Sequence, residues 1–335
     1  MIQKKLGFTY SKTDTNFIAI YRDGKWEKGA LQKADEIKIS ITSPALHYGQ
    51  EAFEGLKAYR TKDGHVNLFR PYENAKRFQH SADRLGMPRV DLDFFVDAVK
   101  AVVLDNEKYV PEYGSGATLY VRPYLIGVGH NIGLRPAAEY IFGVVVMPVG
   151  NYFGAEAKSV DLLISEYDRA APFGTGSAKV GGNYAASLYP QMLARTQGYG
   201  DCLYLDAKTR TKIEELGAAN FFGITKNNEY ITPESPSILK SITNDSLMYL
   251  AKEYLKIEVS RADIYIDQLD HLVEAGACGT AAVITPVRSI THNGHKHVIS
   301  NLPAMGPITQ KLYDLLTGIQ FGDLKGPEGW VIRIK

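Results

Sequence analysis

The sequence predicts a mixed α/β protein folded as two domains, and three observations carry that expectation. At 335 residues the chain exceeds one ordinary domain, which runs to roughly 100–200 residues. Runs of apolar period 2 alternate along it with runs of period 3.6, the signatures of strand and helix. Composition then shifts at "PVGNYFGAEAKS" (148–159), where Pro, Gly and small residues replace a β-branched run. The expected division is a smaller α/β domain over 1–147, a linker over 148–159 and a larger domain over 160–335.

The elements follow in chain order. "NFIAIYRDGKWEKGALQ" sets Asp-Gly between two β-rich runs, a hairpin signal. "HVNLFRPYENAKRFQHSADRLG" reads as a strand turning at Pro71 into a helix. That helix puts Ala75, Phe78, Ala82 and Leu85 on one face and stops at Gly86. "DFFVDAVKAVVLDNEKYV" is a second helix, with Phe94, Phe95, Ala98 and Val102 inward. "ATLYVRPYLIGVG" and "AEYIFGVVVMPVG" are strands, and so is "DLLISEY" beyond the linker. "GTGSAKVGGNYAAS" (174–187) leads into a helix, and "DCLYLDAKTRTKIEELGAANFFGIT" reads as adjacent strands around a turn. The helix "NDSLMYLAKEYL" aligns Leu247, Leu250, Ala251 and Tyr254. No internal repeat or low-complexity tract is present.

Composition excludes several function classes. With 45% hydrophobic and 22% charged residues, each domain can bury a core without staples. A net charge of +1 without a basic stripe argues against a nucleic-acid partner. Cys202 and Cys278 are too few and too isolated for a disulfide scaffold or a zinc site, which fits a reducing compartment. "MIQKKLGFTYSK" has lysines but no apolar run after them, unlike a secretory signal. "IFGVVVMPVG" (141–150) is a buried strand, far short of the ~20 residues of a membrane helix. The expected setting is cytoplasmic, with no membrane partner.

The glycine-rich stretch raises the central chemical question. Lys179 follows Ala178 and precedes Val180, which breaks the Walker spacing, and the third position of a dinucleotide fingerprint is Lys179 itself. An exposed loop with an idle lysine is one reading. The other is a nucleophilic amine, because small apolar neighbours favour the neutral form and glycines admit a flat ring. "HNGHKH" (292–297) reads as a solvated hairpin turn rather than a metal site, and no metal is assigned.

In "IEELGAANFFGI", Glu214 reads as facing water, whereas Glu215 points inward and needs a cationic partner. Ser241 and Thr243 open a helix whose N-terminus serves either plain capping or a phosphate. Arg70 lies between Phe69 and Pro71. Arg122 shares a strand face with Tyr120 and calls for an anion, from a salt bridge or a ligand.

Taken together, these groups match pyridoxal 5′-phosphate: an aldehyde for the lysine, a ring nitrogen for the acid, and a phosphate for arginine and the helix. The blocks "LHYGQEAFEGLKAYR", "LFRPYENAKRF", "LYVRPYLIG", "AKVGGNYAAS", "EELGAANFF" and "GTAAVITPVRSI" resemble, in order, those of branched-chain amino acid aminotransferases. The resemblance runs from about Gly7 to the C-terminus. It implies the D-alanine-transaminase-like fold (fold type IV), with an α/β N-terminal domain and a larger pseudo-barrel domain.

The resemblance also implies roles, residue by residue. Lys179 would hold the cofactor as a Schiff base and then carry the proton between substrate Cα and cofactor C4′. Tyr184 would hydrogen-bond the ring O3′, and Glu215 would pair with the ring nitrogen. Arg70, the N–H groups of Ile242 and Thr243, the Thr243 hydroxyl and Thr280 would hold the phosphate. Tyr120, Arg122 and the turn at Thr280-Ala281 would take the substrate carboxylate. Tyr48 and Phe53 would line the side-chain pocket, with Tyr10 a looser match. Tyr48 would reach the neighbouring subunit's site, which implies a homodimer.

The expected activity is transfer of the amino group of leucine, isoleucine or valine to 2-oxoglutarate, ping-pong through pyridoxamine phosphate. D-amino acid transaminase and aminodeoxychorismate lyase share the fold, but "LHYGQEAFEGLKAY" with "LYVRP" weighs against both. A non-catalytic binder of an anion is the reading from another class. Three departures stand out. Lys240 replaces the family's usual proline before the phosphate helix, and Pro190 should kink the helix after the lysine. "AVITP" stands where mammalian relatives carry a Cys-x-x-Cys switch, so Cys278 should not form that disulfide.

Overall fold

The computed structural model describes residues 7–150 and 159–335, and their contacts divide them into two units. The first takes in the described residues up to 150 with Ala178–Gly181 and Ile319–Lys335. The second takes in 159–177 and Gly182–Gly318. Residues 151–158, most of the expected linker, lie outside the described residues. A single boundary does not capture this path. Val180 bridges to Ala52, and the strand Val331–Arg333 pairs with Val66–Phe69, so two late segments return to the first unit.

The first unit opens with β1 (Asn16–Arg22), β2 (Lys25–Trp26) and β3 (Ala30–Gln32). Asp23-Gly24 forms the expected hairpin turn between β1 and β2. α1 (Pro44–Tyr48), β4 (Glu51–Phe53), β5 (Leu56–Arg60) and β6 (Val66–Phe69) follow. α2 (Pro71–Arg84) then starts at the expected proline, and α3 (Leu92–Asp105) is capped by Asp91, which accepts from Asp93 N–H and Phe94 N–H. β7 (Thr118–Val128) and β8 (Glu139–Val149) pair along their whole length.

The second unit holds β9 (Val160–Ile164), α4 (Gly181–Thr196) after its first residue, β10 (Asp201–Leu205), β11 (Ile213–Leu216) and β12 (Asn220–Thr225). β13 (Tyr230–Thr232), α5 (Ile242–Glu253), β14 (Val259–Arg261), β15 (Leu272–Gly279), β16 (Val283–His292) and β17 (His295–Val298) complete its sheet and helix. α6 (Pro307–Phe321) and β18 (Val331–Arg333) end the chain.

In the first unit the strand order is β18-β6-β5-β7-β8-β1-β2, with β3 on β1 and β4 on β7. One face of this sheet packs against α2 and α3. Leu119, Val121, Phe142 and Val144 meet Phe78, Phe95, Val99 and Val102 there, all buried. Phe142 is the hub, with the rings of Phe17, Trp26, Phe78, Phe94 and Phe95 within 6.2 Å of its own. In the second unit the order β11-β10-β9-β16-β15-β12 closes on itself, because β11 also pairs with β12. This six-stranded ring is the expected barrel, filled by Leu162, Leu203, Leu205, Phe221, Val287 and Ile290 among others.

Two details differ from the sequence reading or refine it. Tyr254 is exposed although Leu247, Leu250 and Ala251 are buried, because α5 ends at Glu253 and Tyr254 is its cap. α4 runs on through Pro190, which is buried within it. Phe142→Ala empties the centre of the first core and should cost about 3–5 kcal/mol. Leu104→Ala, on the exposed side of α3, should stay within about 0.5 kcal/mol. Urea unfolding of the two variants checks the contrast.

Candidate active site

Lys179 is half-buried, and its backbone is tied on both sides. Its N–H donates to Ser81 Oγ at 2.8 Å, and its carbonyl accepts from Phe53 N–H at 3.1 Å. Lys179 Nζ lies 4.7 Å from the centre of the Phe53 ring. The same ring carries the Arg122 guanidinium at 4.7 Å, and Arg122 Nη2 donates to Tyr120 OH at 3.0 Å.

Strand alternation explains this grouping. Leu119, Val121 and Leu125 of β7 face the helix-covered core, so Tyr120, Arg122 and Tyr124 share the opposite face. The register sets Phe53 beside Tyr124 and Lys57 beside Tyr120. Gly55 lies between Phe53 and Lys57, and any side chain there would strike the Tyr120 hydroxyl. Sequence reasoning missed Lys57, although its place between core residues Leu56 and Ala58 was the signal. Among the described residues, Arg122 Nε is buried with no hydrogen-bond partner, and no carboxylate pairs with this guanidinium.

Glu54 underlies this group. Burial pushes its carboxyl up, but the Arg77 guanidinium, and after it Lys179, outweigh that and hold it below its ordinary value. Arg77 binds it through two bonds, Nε to Oε1 at 2.7 Å and Nη2 to Oε2 at 2.9 Å.

In the second unit Glu215 is 3% exposed and has the cationic partner that the sequence called for: Arg169 Nη2 lies 2.8 Å from its Oε1. Leu239 N–H also donates to Oε1, and Asn220 Nδ2 donates to Oε2. Glu214 was expected in water and is instead buried. Ser235 Oγ donates to it at 2.5 Å, so a hydroxyl replaces the solvent.

Ser241 caps α5 through Asn244 N–H, as expected of plain capping. The N–H groups of Ile242 and Thr243 stand ahead of the first helical bonds, and among the described residues nothing accepts from them. Thr280 and Ala281 form the turn between β15 and β16, which ends at Val283 in left-handed backbone (φ 64°). That conformation strains a β-branched residue. Tyr184 sits half-buried on α4.

Other expected residues stand outside these groups. Tyr10 is 67% exposed and donates to Asp35 at 3.2 Å. Tyr48, exposed on α1, donates to the carbonyl of Ile132. Arg70 is the left-handed cap of α2 (φ 47°), with its guanidinium 4.8 Å over the Trp330 ring. Lys240 is exposed two residues ahead of α5. "HNGHKH" is the expected hairpin, with the rings of His295 and His297 4.5 Å apart.

A family model described as amino-transferase class IV matches residues 51–290. The branched-chain-amino-acid aminotransferase of Haemophilus influenzae is 58% identical, covering 98% of each chain. That of Helicobacter pylori is 53% identical over 99% of this chain and 97% of its own. The chain belongs to the class IV aminotransferase family, in its branched-chain amino acid group.

Solved structures agree on the fold of this aminotransferase. The Escherichia coli branched-chain amino acid aminotransferase superposes with a TM-score of 0.82 at 29% identity, covering 97% of this chain and 100% of its own. The T.th. branched-chain amino acid aminotransferase, solved with pyridoxamine 5′-phosphate, also gives 0.82 at 29% identity, covering 97% and 99%.

Lys57 supplies the test of the aminotransferase's first-unit geometry. Burial lowers its ammonium to about 8, against an ordinary 10.5. Between those values the unfolded chain binds a proton that the folded chain does not, so Lys57 makes stability rise with pH there. Lys57→Met should be more stable than wild type near pH 7, and the gap should close as pH climbs from about 8 to 10.5. Urea unfolding across that range decides it; parallel curves would place Lys57 in water.

Proposed function

We propose that this aminotransferase uses pyridoxal 5′-phosphate to move the amino group of L-leucine, L-isoleucine or L-valine to 2-oxoglutarate. The products are the branched 2-oxo acids and L-glutamate, and the two half-reactions alternate in ping-pong order. Three observations support the fit to that cofactor. The N–H groups of Ile242 and Thr243, unpaired among the described residues, suit a phosphate, with Arg70 and Thr280 as further donors. A buried, ion-paired Glu215 suits a protonated ring nitrogen, and the Tyr184 hydroxyl suits the ring oxygen. Lys179, half-buried over an aromatic face, suits the aldehyde.

Bound there, the cofactor supplies an electron-withdrawing ring that stabilises negative charge at the substrate Cα. Lys179 would anchor it and, once the substrate amine has displaced it, its freed amine would act as the base at that Cα proton. Glu215 keeps the ring nitrogen protonated, which strengthens the pull on electrons.

The single observation that carries the substrate reading is the Arg122 guanidinium. It is shared between Tyr120 OH and the Phe53 ring, with Nε unpartnered. One site must accept both an aliphatic chain and the glutamate γ-carboxylate. A cation covered by aromatic surface tolerates the first and pairs with the second. The turn at Thr280-Ala281 complements it at the α-carboxylate, Phe53 and Tyr48 line the side-chain pocket, and Tyr10 is the weaker member of that lining. Exposed Ile41, Leu46, Ile132 and Leu134, on the segments that carry and contact Tyr48, favour a homodimer that buries them. Free buried thiols at Cys202 and Cys278 favour a cytoplasmic setting.

Initial rates with a panel of L- and D-amino acids against 2-oxoglutarate test this. Leucine, isoleucine and valine should lead, and a lead for D-alanine would contradict the reading. Arg122→Gln should lower kcat/KM for 2-oxoglutarate by about 10- to 100-fold, the worth of one charge-assisted bond. The same change should lower it less for 4-methyl-2-oxopentanoate, which lacks the second carboxylate.

A further inference from the structure

Arg169 does more than neutralise a buried acid. It is 5% exposed, and its Nη2 meets Glu215 Oε1 at 2.8 Å. The same nitrogen donates to the Gly176 carbonyl at 2.9 Å and to the Ser237 carbonyl. Gly176 is three residues ahead of Lys179, and Ser237 leads into α5, whose first N–H groups are open. The two segments touch backbone to backbone. A Cβ at Gly176 would run into the Ser237 carbonyl and stand 2.7 Å from its Cα, so glycine is what lets them meet. Among the described residues, Arg169 Nε meanwhile has no hydrogen-bond partner. A buried guanidinium left with an unmade bond is costly, and the charge of Glu215 is what offsets that cost.

We propose that Arg169 is a positioning residue. It keeps the Glu215 carboxylate charged before any cofactor binds, and it fixes that charge relative to the backbone at Gly176 and the lead-in to α5. Without Arg169, desolvation drives Glu215 to its neutral acid, which cannot hold a ring nitrogen in its protonated form. The inference rests on the pyridoxal-phosphate reading above. Among the other groups near Glu215, Cys278 has its thiol pushed well up, by burial first and by Glu215 second. Arg261 acts on that same thiol, and Glu214 is occupied by Ser235. Cys278 therefore stays a neutral thiol beside the Glu215 carboxylate.

The test uses the apo full-length chain and pyridoxine 5′-phosphate, which has no aldehyde and so reports the site without capture by Lys179. Arg169→Met should weaken its binding by about 10- to 100-fold, and Arg169→Lys should recover part of the loss. Glu215→Gln should weaken binding similarly, and adding Arg169→Met to it should change little further. In urea, Arg169→Met should lose stability relative to wild type as pH rises above the ordinary glutamate range, because a raised carboxyl favours the fold only while protonated.

Equal binding by wild type and Arg169→Met, with parallel pH curves, would overturn the proposal. If Arg169→Met fails to fold, the Arg169→Met/Glu215→Gln pair should still fold, since no charge is left unpaired. Failure of that pair where Glu215→Gln alone folds would make Arg169 a structural tie only, and would also overturn it. Failure of wild type itself to bind would instead count against the cofactor reading.

Discussion

Burying a carboxylate inside a sheet is expensive unless a cation and further donors surround it, and each unit of this chain is arranged around one such carboxylate. Glu54 carries Arg77 on two bonds, Asn74 at 2.7 Å and the Gly55 N–H at 3.1 Å. Glu215 carries Arg169, Asn220 and the Leu239 N–H. In both cases the partners come from segments that also carry expected site residues. Glu54 sits between Phe53 and Gly55, at the break between β4 and β5. Leu239 sits just ahead of α5. The charge cannot be solvated, so the chain around it has little freedom, and that rigidity passes to the residues next in sequence.

The second constraint is the two-residue period of a strand. β7 gives its odd positions, Leu119, Val121 and Leu125, to the helix-covered core. Its even positions, Tyr120, Arg122 and Tyr124, are then available for chemistry. β5 obeys the same rule, with Leu56 and Ala58 inward and Lys57 on the other face. Hydrophobic burial therefore sets the side on which polar residues gather, and the arginine needs no special device to reach it.

Much of this was legible in the sequence because it rests on local rules. The Asp-Gly hairpin, the Pro71 helix start, the shared face of Tyr120 and Arg122 and the inward turn of Glu215 all follow from neighbours within a few residues. What escaped was non-local. The partner of Glu215 proved to be Arg169, far upstream, which no spacing rule selects. Glu214 reads as facing water because the loop bringing Ser235 to it cannot be read from its own strand. The late return of Ala178–Gly181 to the first unit depends on a bridge between Ala52 and Val180, again a long-range pairing.

The covalent anchor proposed for the cofactor is Lys179. Borohydride reduction of the chain loaded with pyridoxal phosphate, followed by peptide mapping, tests it most directly. A stable phosphopyridoxyl label should appear on Lys179, within the stretch 174–187. A label on the buried Lys57 or on the exposed Lys240 instead, or none on a protein that binds the cofactor, would contradict it.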